Sequence, residues 1–361
     1  MIYRAIGLMS GSSLDGLDLA FAEFTEQAGQ WSYELKETAC YGYSPEWTDK
    51  LSNATRLSAL DYQLLHTDYG HYLGTQVNRF IEEKSLYFQS ALIASHGHTS
   101  FHIPARKMTA QLGDGAAIAA VTGLPVVSDL RAMDIALGGQ GAPIVPVGEK
   151  LLFPAYDFFL NIGGIANISM NAANYLAFDI CPANRVLNLL ANQAGQAFDR
   201  DGAIAAAGNI NTNLLDALNA LPYYQQAGPK SLANDFGTDM IYPIIQQSGC
   251  DTADALRTYT EHIAVQVLQS LQHLSLEKTQ RLLVTGGGAL NHFLVDLLGT
   301  KLEPTGIAVV VPDEKLVNYK EALVMAFIGV LRWRQEDNVF ASVTGASRNS
   351  IGGALWIGQD A

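Results

Sequence analysis

Two aspartates, Asp15 and Asp18, follow a turn of Gly11, Ser12 and Ser13 in the opening segment IGLMSGSSLDGLDLAF. Exposed backbone N–H groups and hydroxyls in such a turn suit a polyphosphate, and the two carboxylates supply oxygen ligands for a hydrated magnesium ion. Ile6 and Leu8 read as the end of an incoming strand, and Leu17, Leu19 and Phe21 as the inward face of an outgoing one. That context fits neither a P-loop, which needs Gly-Lys-Ser/Thr opening a helix, nor a dinucleotide fingerprint. Taken alone the segment is equally a plain hairpin. Two more glycine turns follow apolar strands, at Gly163–Gly164 and at Gly286–Gly288, and Asp179 ends a further apolar run. Two facing strand–turn–strand units can hold a polyphosphate from both sides, while a glycine-rich strand-to-helix turn can lie flat against an adenine ring. His96, His98 and His102 have no usual zinc spacing.

The elements that must position these residues alternate between strand and helix. Residues 1–47 read as a strand meander and 58–84 as a helix, with Leu65, Tyr69, Leu73, Val77 and Phe80 on one face. Strand 91–95 precedes the SHGHTSFHIP loop, Gln111–Thr122 reads as helical after a short strand, and strand 124–130 leads to Arg131. The GGQGAP run at 138–143 is a strong breaker and the expected hinge between domains. Beyond it, 158–161, the GGIAN turn and 167–170 repeat the opening theme as a weak internal duplication, and strand 175–179 ends on Asp179 and a tight CPAN turn. A helix over 252–274, strand 281–286, helix 292–298, a strand at GIAVVVP and helix 321–335 complete the order. The class is α/β.

Composition narrows the field. At 361 residues and 48% hydrophobic the chain can fill two cores, and its formal net charge of −13 argues against a nucleic-acid partner held through phosphates. Cys40, Cys181 and Cys250 are scattered and odd in number, which points to a reducing cytoplasm. No leader precedes the first strand, and the most apolar stretch, 322–333, is shorter than the ~18–20 residues of a membrane span, so a soluble protein with no membrane partner is expected.

In sequence the chain resembles the anhydro-N-acetylmuramic acid kinases from end to end. The resemblance rests on MSGSSLDGLD (9–18), SHGHT with the following HIP (95–104), QLGDGAAIA (111–119), the DLRAMD to GGQGAP run (129–143), NIGGIANIS (161–169), FDICPAN (178–184), FDRDGAIAAAG (198–208), PKS (229–231), TGGGALN (285–291), EAL (321–323) and SVTGA (342–346). It implies two actin-like ATPase domains of ribonuclease H-like type flanking a nucleotide cleft, with boundaries expected at 1–137 completed by 336–361, and at 138–335. It implies ATP-dependent phosphorylation of the 6-hydroxyl of 1,6-anhydro-N-acetylmuramic acid, with water opening the anhydro ring, in cell-wall recycling. The cofactors implied are ATP and Mg2+, the partner is a small-molecule sugar, and a homodimer stays open.

The same resemblance distributes the roles. Asp179 matches the aspartate of FDxGPGN and is the expected catalytic base; the alternative is a strand-end aspartate capping the next turn. Gly11, Ser12, Ser13, Leu14, Asp15, Gly16, Leu17, Asp18, Gly163, Gly164, Gly286, Gly287, Gly288 and Asn291 are the expected nucleotide-binding residues, with Asp15 and Asp18 steering the metal. His96, His98, Arg131 and Glu321 are expected at the sugar. Arg131 suits a lactyl carboxylate or, structurally, a salt bridge to Asp129 or Asp134; Glu321 is either near the sugar or a solvated residue in the first turn of its helix.

The chain departs from the family pattern in places. FDICPAN replaces both glycines of FDxGPGN with Cys181 and Ala183, and a positive φ at either would cost roughly 1 kcal/mol. PKSLAND stands for PKSTGRE, GGGALN for GGGARN and SHGHT for SHGQT. These changes leave two alternatives: a related kinase for a different sugar, or a nucleotide-gated binding protein without catalysis.

Overall fold

The structure is a computed structural model describing residues 1–11, 13–171, 175–226, 228, 230–233, 235–271 and 279–358. The chain divides into two compact units, one comprising Met1–Pro154 with Tyr319–Ala361 and the other Ala155–Asn318.

In the first unit the strands are β1 (Ile2–Ser10), β2 (Leu17–Gln27), β3 (Gln30–Tyr41), β4 (Leu92–Ser95), the hairpin of β5 (His98–Ile103) and β6 (Met108–Leu112), and β7 (Val126–Ser128). The second unit supplies β8 (Phe158–Ile162), β9 (Ile165–Met170), β10 (Leu176–Pro182), β11 (Gln280–Thr285) and β12 (Ile307–Val310), and β13 (Ala354–Trp356) returns to the first. The main sheets run β13-β7-β4-β1-β2-β3 and β10-β9-β8-β11-β12. Each is an antiparallel three-strand meander whose first strand pairs in parallel with the next strand outward, which pairs in parallel with another. The duplication read from two glycine turns is thus a shared topology, the order of a ribonuclease H-like domain.

Side-chain alternation on β1 explains the layers of the first unit. Ile6 and Leu8 enter a core with Leu17, Leu19 and Phe21 of β2 and with Leu65, Tyr69, Leu73, Val77 and Phe80 of helix Ala59–Glu83, the apolar stripe expected there. Gly7 faces the other way, against helix Glu314–Trp333, and a Cβ at Gly7 would lie 1.9 Å from Ala322 O. Only a missing side chain permits that approach. In the second unit, Leu256, Tyr259, Ile263, Val267 and Leu271 of helix Thr252–Leu271 join β8–β11 residues in a separate core; Leu274, expected on the same face, lies outside the described residues.

Several boundaries differ from expectation. Helix 321–335 begins at Glu314, because Asp313 caps it by accepting from Leu316 N–H at 2.8 Å, so Glu321 sits in the helix interior and not in its first turn. Gln111 and Leu112 belong to β6, and the helix following starts only at Gly115. The 138–143 breaker lies inside the first unit: Gly139 and Gly141 N–H bond to Asp134 and Gln140 N–H to Thr344 O, while the units change over at Pro154 and within helix Glu314–Trp333.

The Gly7 contact makes a stability test. Gly7→Ala should lower the urea midpoint by the equivalent of about 1–3 kcal/mol, since a methyl must displace helix backbone. Gly299→Ala, mid-helix with nothing within 4 Å of the added carbon, should raise the midpoint slightly. Equal midpoints would refute the close-packing account.

Candidate active site

In the first unit the candidate residues collect where β1, β4 and β7 end. The β1–β2 turn is tight: Leu14 N–H reaches Gly11 O at 3.4 Å and Leu14 itself has φ 57°. A leucine in the left-handed region costs roughly 1–2 kcal/mol, strain of the kind that turns at ligand sites carry. Ser13 Oγ donates to Asp15 Oδ1 at 2.8 Å, and Gly16 is pressed against Cys40 and Tyr41. Leu17 is a core residue, so only its backbone can serve a ligand. Ser12 lies outside the described residues.

Asp18, half-buried on β2, is pushed up to about 6 by burial, with Asp15 and Glu321 adding negative charge and a hydrogen bond with Cys40 opposing it. Two carboxylates that repel each other beside a turn of backbone donors are a hard-oxygen set that fits a magnesium ion.

Arg131 lies just beyond β7, at the start of helix Ala132–Ala136. Its Nε donates to His96 Nε2 at 2.9 Å and its Nη1 to Gly141 O at 2.6 Å. The alternative salt bridge is absent: among the described residues no carboxylate lies within 4 Å of Arg131, Asp134 accepting instead from Gly141 N–H and Thr344 Oγ1 and Asp129 from Ser128. Burial lowers Arg131 to about 10, with Glu321 and Asp134 pulling it back. His96 must therefore be neutral, accepting at Nε2 and donating from Nδ1 to Gly97 O at 2.9 Å, and burial with the adjacent arginine holds it down to about 3.

Glu321 is half-buried and raised by burial and by Glu149, against the pull of Lys320 and Arg131. Asp18, Glu321, Arg131 and His96 thus form one electrostatic group. His98 opens β5 and bonds Ser10 at 3.1 Å, whereas His102 is exposed and bonds Thr109.

In the second unit Asp179 is not at a strand end. Strand β10 continues to Pro182, and an extra residue between Asp179 and Cys181 breaks the register with β9. A bulge re-aims the side chain beside it. Asp179 Oδ2 accepts from Leu232 N–H at 2.9 Å and from Ser231 Oγ at 3.3 Å, while its backbone bonds Lys230 O and accepts from Tyr223 OH at 2.6 Å. Oδ1 has no partner among the described residues. Burial raises the carboxyl above the ordinary aspartate range, with those two donors opposing. Ser231 and Leu232 belong to the PKSLAND segment, which the sequence marks without a role for either, and Tyr223 lies in no sequence motif.

Neither replaced glycine of the CPAN turn needs a positive φ. Cys181 pairs with Ala166 inside the sheet and Ala183 has φ −127°. Ala183 and Asn184 N–H bond to Gly164 O and Gly163 O, tying the second glycine turn to helix Asn184–Gln193. Gly286, with φ +80°, and Gly288 lie so close to the end of β8 that added carbons would meet Asn161 Oδ1 at 2.6 Å and Ile162 Cγ2 at 2.2 Å; Gly287 lies in the short helical turn between. Asn291 Oδ1 caps helix His292–Leu302 by accepting from Leu294 N–H.

Carboxylate titration checks the Asp179 environment. Its midpoint, followed by carbon NMR, should lie above the usual ~4, and Ser231→Ala, which removes a donor to the charged form, should raise it further. A midpoint at or below 4 would contradict the geometry.

Residues 3–358 match the sequence model of anhydro-N-acetylmuramic acid kinase. Curated relatives bearing that name include one from Vibrio parahaemolyticus serotype O3:K6, 32% identical over 97% of both chains. Another, from Methylobacterium nodulans, is 34% identical over 97% of this chain and 98% of its own. One from Sulfurovum sp. is 32% identical over 98% and 99%. Among solved structures, component A of the Acidaminococcus fermentans (R)-2-hydroxyglutaryl-CoA dehydratase is similar with a TM-score of 0.47 and 14% identity, covering 91% of this chain and 97% of that one. With a family match spanning nearly its whole length, the chain belongs to the anhydro-N-acetylmuramic acid kinase family.

Proposed function

We propose that the protein transfers the γ-phosphoryl group of ATP to the 6-oxygen of 1,6-anhydro-N-acetylmuramic acid while water opens the anhydro ring, giving N-acetylmuramic acid 6-phosphate. Water oxygen bonds to the anomeric carbon as the bond to the 6-oxygen breaks, the 6-oxygen bonds to phosphorus as ADP leaves, and the water proton passes to a base. Family membership supports the reaction. The observation that carries it to a residue is Asp179, half-buried on a bulge, with one oxygen anchored by two donors and the other left open. A held carboxylate of raised proton affinity suits a general base, which must lie within about 3 Å of the proton it takes.

Arg131 presents a guanidinium whose partners on the protein are neutral, so its charge is available to the lactyl carboxylate. Neutral His96 keeps the fork oriented, and Glu321 and His98 address sugar hydroxyls. In the first unit Gly11, Ser13 and Gly16 offer backbone donors suited to phosphates, and in the second Gly164 does, the N–H groups of Leu14 and Gly163 being spent within their own turns; Gly286–Gly288 with Asn291 suit the adenosine. Asp15 and Asp18 would hold magnesium, which when bound neutralises charge on the phosphoryl group. Three unpaired cysteines support a cytoplasmic setting.

ATP turnover with the anhydro-sugar and a panel of small sugars tests the reading; strong turnover on another sugar alone would redirect the substrate, and nucleotide binding with no turnover on any would favour the binding protein. Asp179→Asn should cut kcat by ~10²–10⁴ with ATP binding nearly unchanged, and should abolish the acid limb of the rate profile, which reports loss of the base as pH falls through its raised midpoint. Retained turnover within a few-fold would make Glu321 the next carboxylate to examine. Asp15→Asn should instead weaken nucleotide binding and turnover together, as should chelation of magnesium.

A further inference from the structure

Beside Asp179 three residues close a ring of hydrogen bonds. Asp179 N–H donates to Lys230 O at 3.1 Å, the Lys230 ammonium donates to Tyr223 O at 3.0 Å, and Tyr223 OH donates to Asp179 O at 2.6 Å. Lys230 enters the ring twice, through its carbonyl and through its side chain. The two residues that follow it, Ser231 and Leu232, are the donors to Asp179 Oδ2.

Those donors need something to hold them. Residues 230–233 lie in no helix or strand and Ser231 is exposed, so neither a ladder nor a core fixes them. The half-buried Lys230 reaches back instead: its ammonium also donates to Gln226 O at 3.1 Å and stands 4.5 Å from the centre of the Tyr223 ring. Carbonyls at the end of the short helix Pro222–Gln225 and an aromatic face are surroundings that favour a cation. Lys230 has no ion pair among the described residues, so its charge is matched by these dipoles alone. The donor at 232 is a backbone amide, which leucine supplies as well as the threonine of PKSTGRE, whereas the link at 230 depends on the side chain. The ionisable groups gathered at this segment are Tyr223, raised by burial and by Asp179, Cys181, raised by burial, and Lys230 itself, lowered by burial; none of the three changes charge where a carboxyl titrates.

We propose that Lys230 is a positioning residue: by tying Tyr223 and Gln226 to its own segment it holds Ser231 Oγ and Leu232 N–H on Asp179 Oδ2, and so fixes the orientation of the carboxylate with Oδ1 left to the reaction. The use of Oδ1 rests on the kinase reading; the tether does not. Its influence is exerted through the two donors and not through the field of the ammonium.

Carbon NMR titration of Asp179 and exchange of the Leu232 amide, both in the ligand-free full chain, test the tether. Lys230→Met, which keeps the length of the side chain and removes the ammonium, should raise the Asp179 midpoint by roughly half a unit to one unit, because donors to the charged form are loosened. It should also quicken Leu232 exchange about tenfold or more, with the amides of β9 and β10 unaltered. In a Ser231→Ala background the same change should raise the midpoint clearly less. A rise of undiminished size would mean that the ammonium acts by charge alone, and an unmoved midpoint or unmoved Leu232 exchange would mean that Lys230 is merely structural; each overturns the proposal. With the anhydro-sugar, Lys230→Met should lower kcat about three- to tenfold, leave KM for ATP within about twofold, and move the acid limb to higher pH with the NMR midpoint. Should Lys230→Met fail to fold, Tyr223→Phe opens the same ring at the hydroxyl and keeps the ammonium; it should raise the midpoint and quicken Leu232 exchange, and a folded phenylalanine variant with both unmoved also overturns the proposal. Lack of turnover on the anhydro-sugar by the parent protein would refute the kinase reading separately, leaving the midpoint and the exchange rate to judge the tether.

Discussion

Strand polarity is the constraint on which the candidate site depends. In each unit the first strand of the meander runs parallel to its outer neighbours, so their carboxyl ends fall along one edge of the sheet. Ligands in open α/β sheets gather outside that edge. On it the first unit places the Gly11–Gly16 turn, the His96–His98 segment and Arg131, and the second places Gly163–Gly164, the Gly286–Gly288 turn and the Asp179 bulge.

What surrounds that edge in the first unit trades stability for chemistry. The absent side chain at Gly7 lets helix Glu314–Trp333 lie on the strand and so bring Glu321 into the electrostatic group of Asp18 and Arg131. Three charged groups then share a half-buried region with no ion pair to any of them among the described residues, each shifted toward its neutral form. Such a set is stable only as far as neighbouring dipoles permit, and it is relieved by a cation near the carboxylates and an anion near the guanidinium. Asp179 follows the same logic in the second unit, its charge opposed by burial and supported by two donors on one oxygen.

Much of this was legible in the sequence because its signals are local. The Leu65 to Phe80 stripe specified a helix and its buried face, and glycines after apolar runs marked the first turn of each of the two meanders. Other features were not, because they depend on contacts between distant segments. Ile180 looks like any strand residue, and only pairing with β9 reveals that the register slips beside Asp179. Lys315, Asn318, Tyr319 and Lys320 interrupt the apolar pattern before Glu321, so the helix start at Glu314 was hidden although its cap, Asp313, was present. The GGQGAP run reads as a hinge by composition, yet Asp134 and Thr344 bind its backbone within the first unit. Conversely, Cys181 and Ala183 looked costly for a turn that the structure builds without any positive φ.

One catalytic event is proposed to add both water and a phosphoryl group to the sugar. Mass spectrometry of the sugar product formed from ATP in 18O-water, sampled before anomeric exchange, measures both at once. A single product is expected, carrying one phosphate and one added water, with the heavy oxygen on the anomeric carbon and none in the phosphate. A phosphorylated sugar with its anhydro ring intact, or heavy oxygen appearing in released inorganic phosphate, would contradict it.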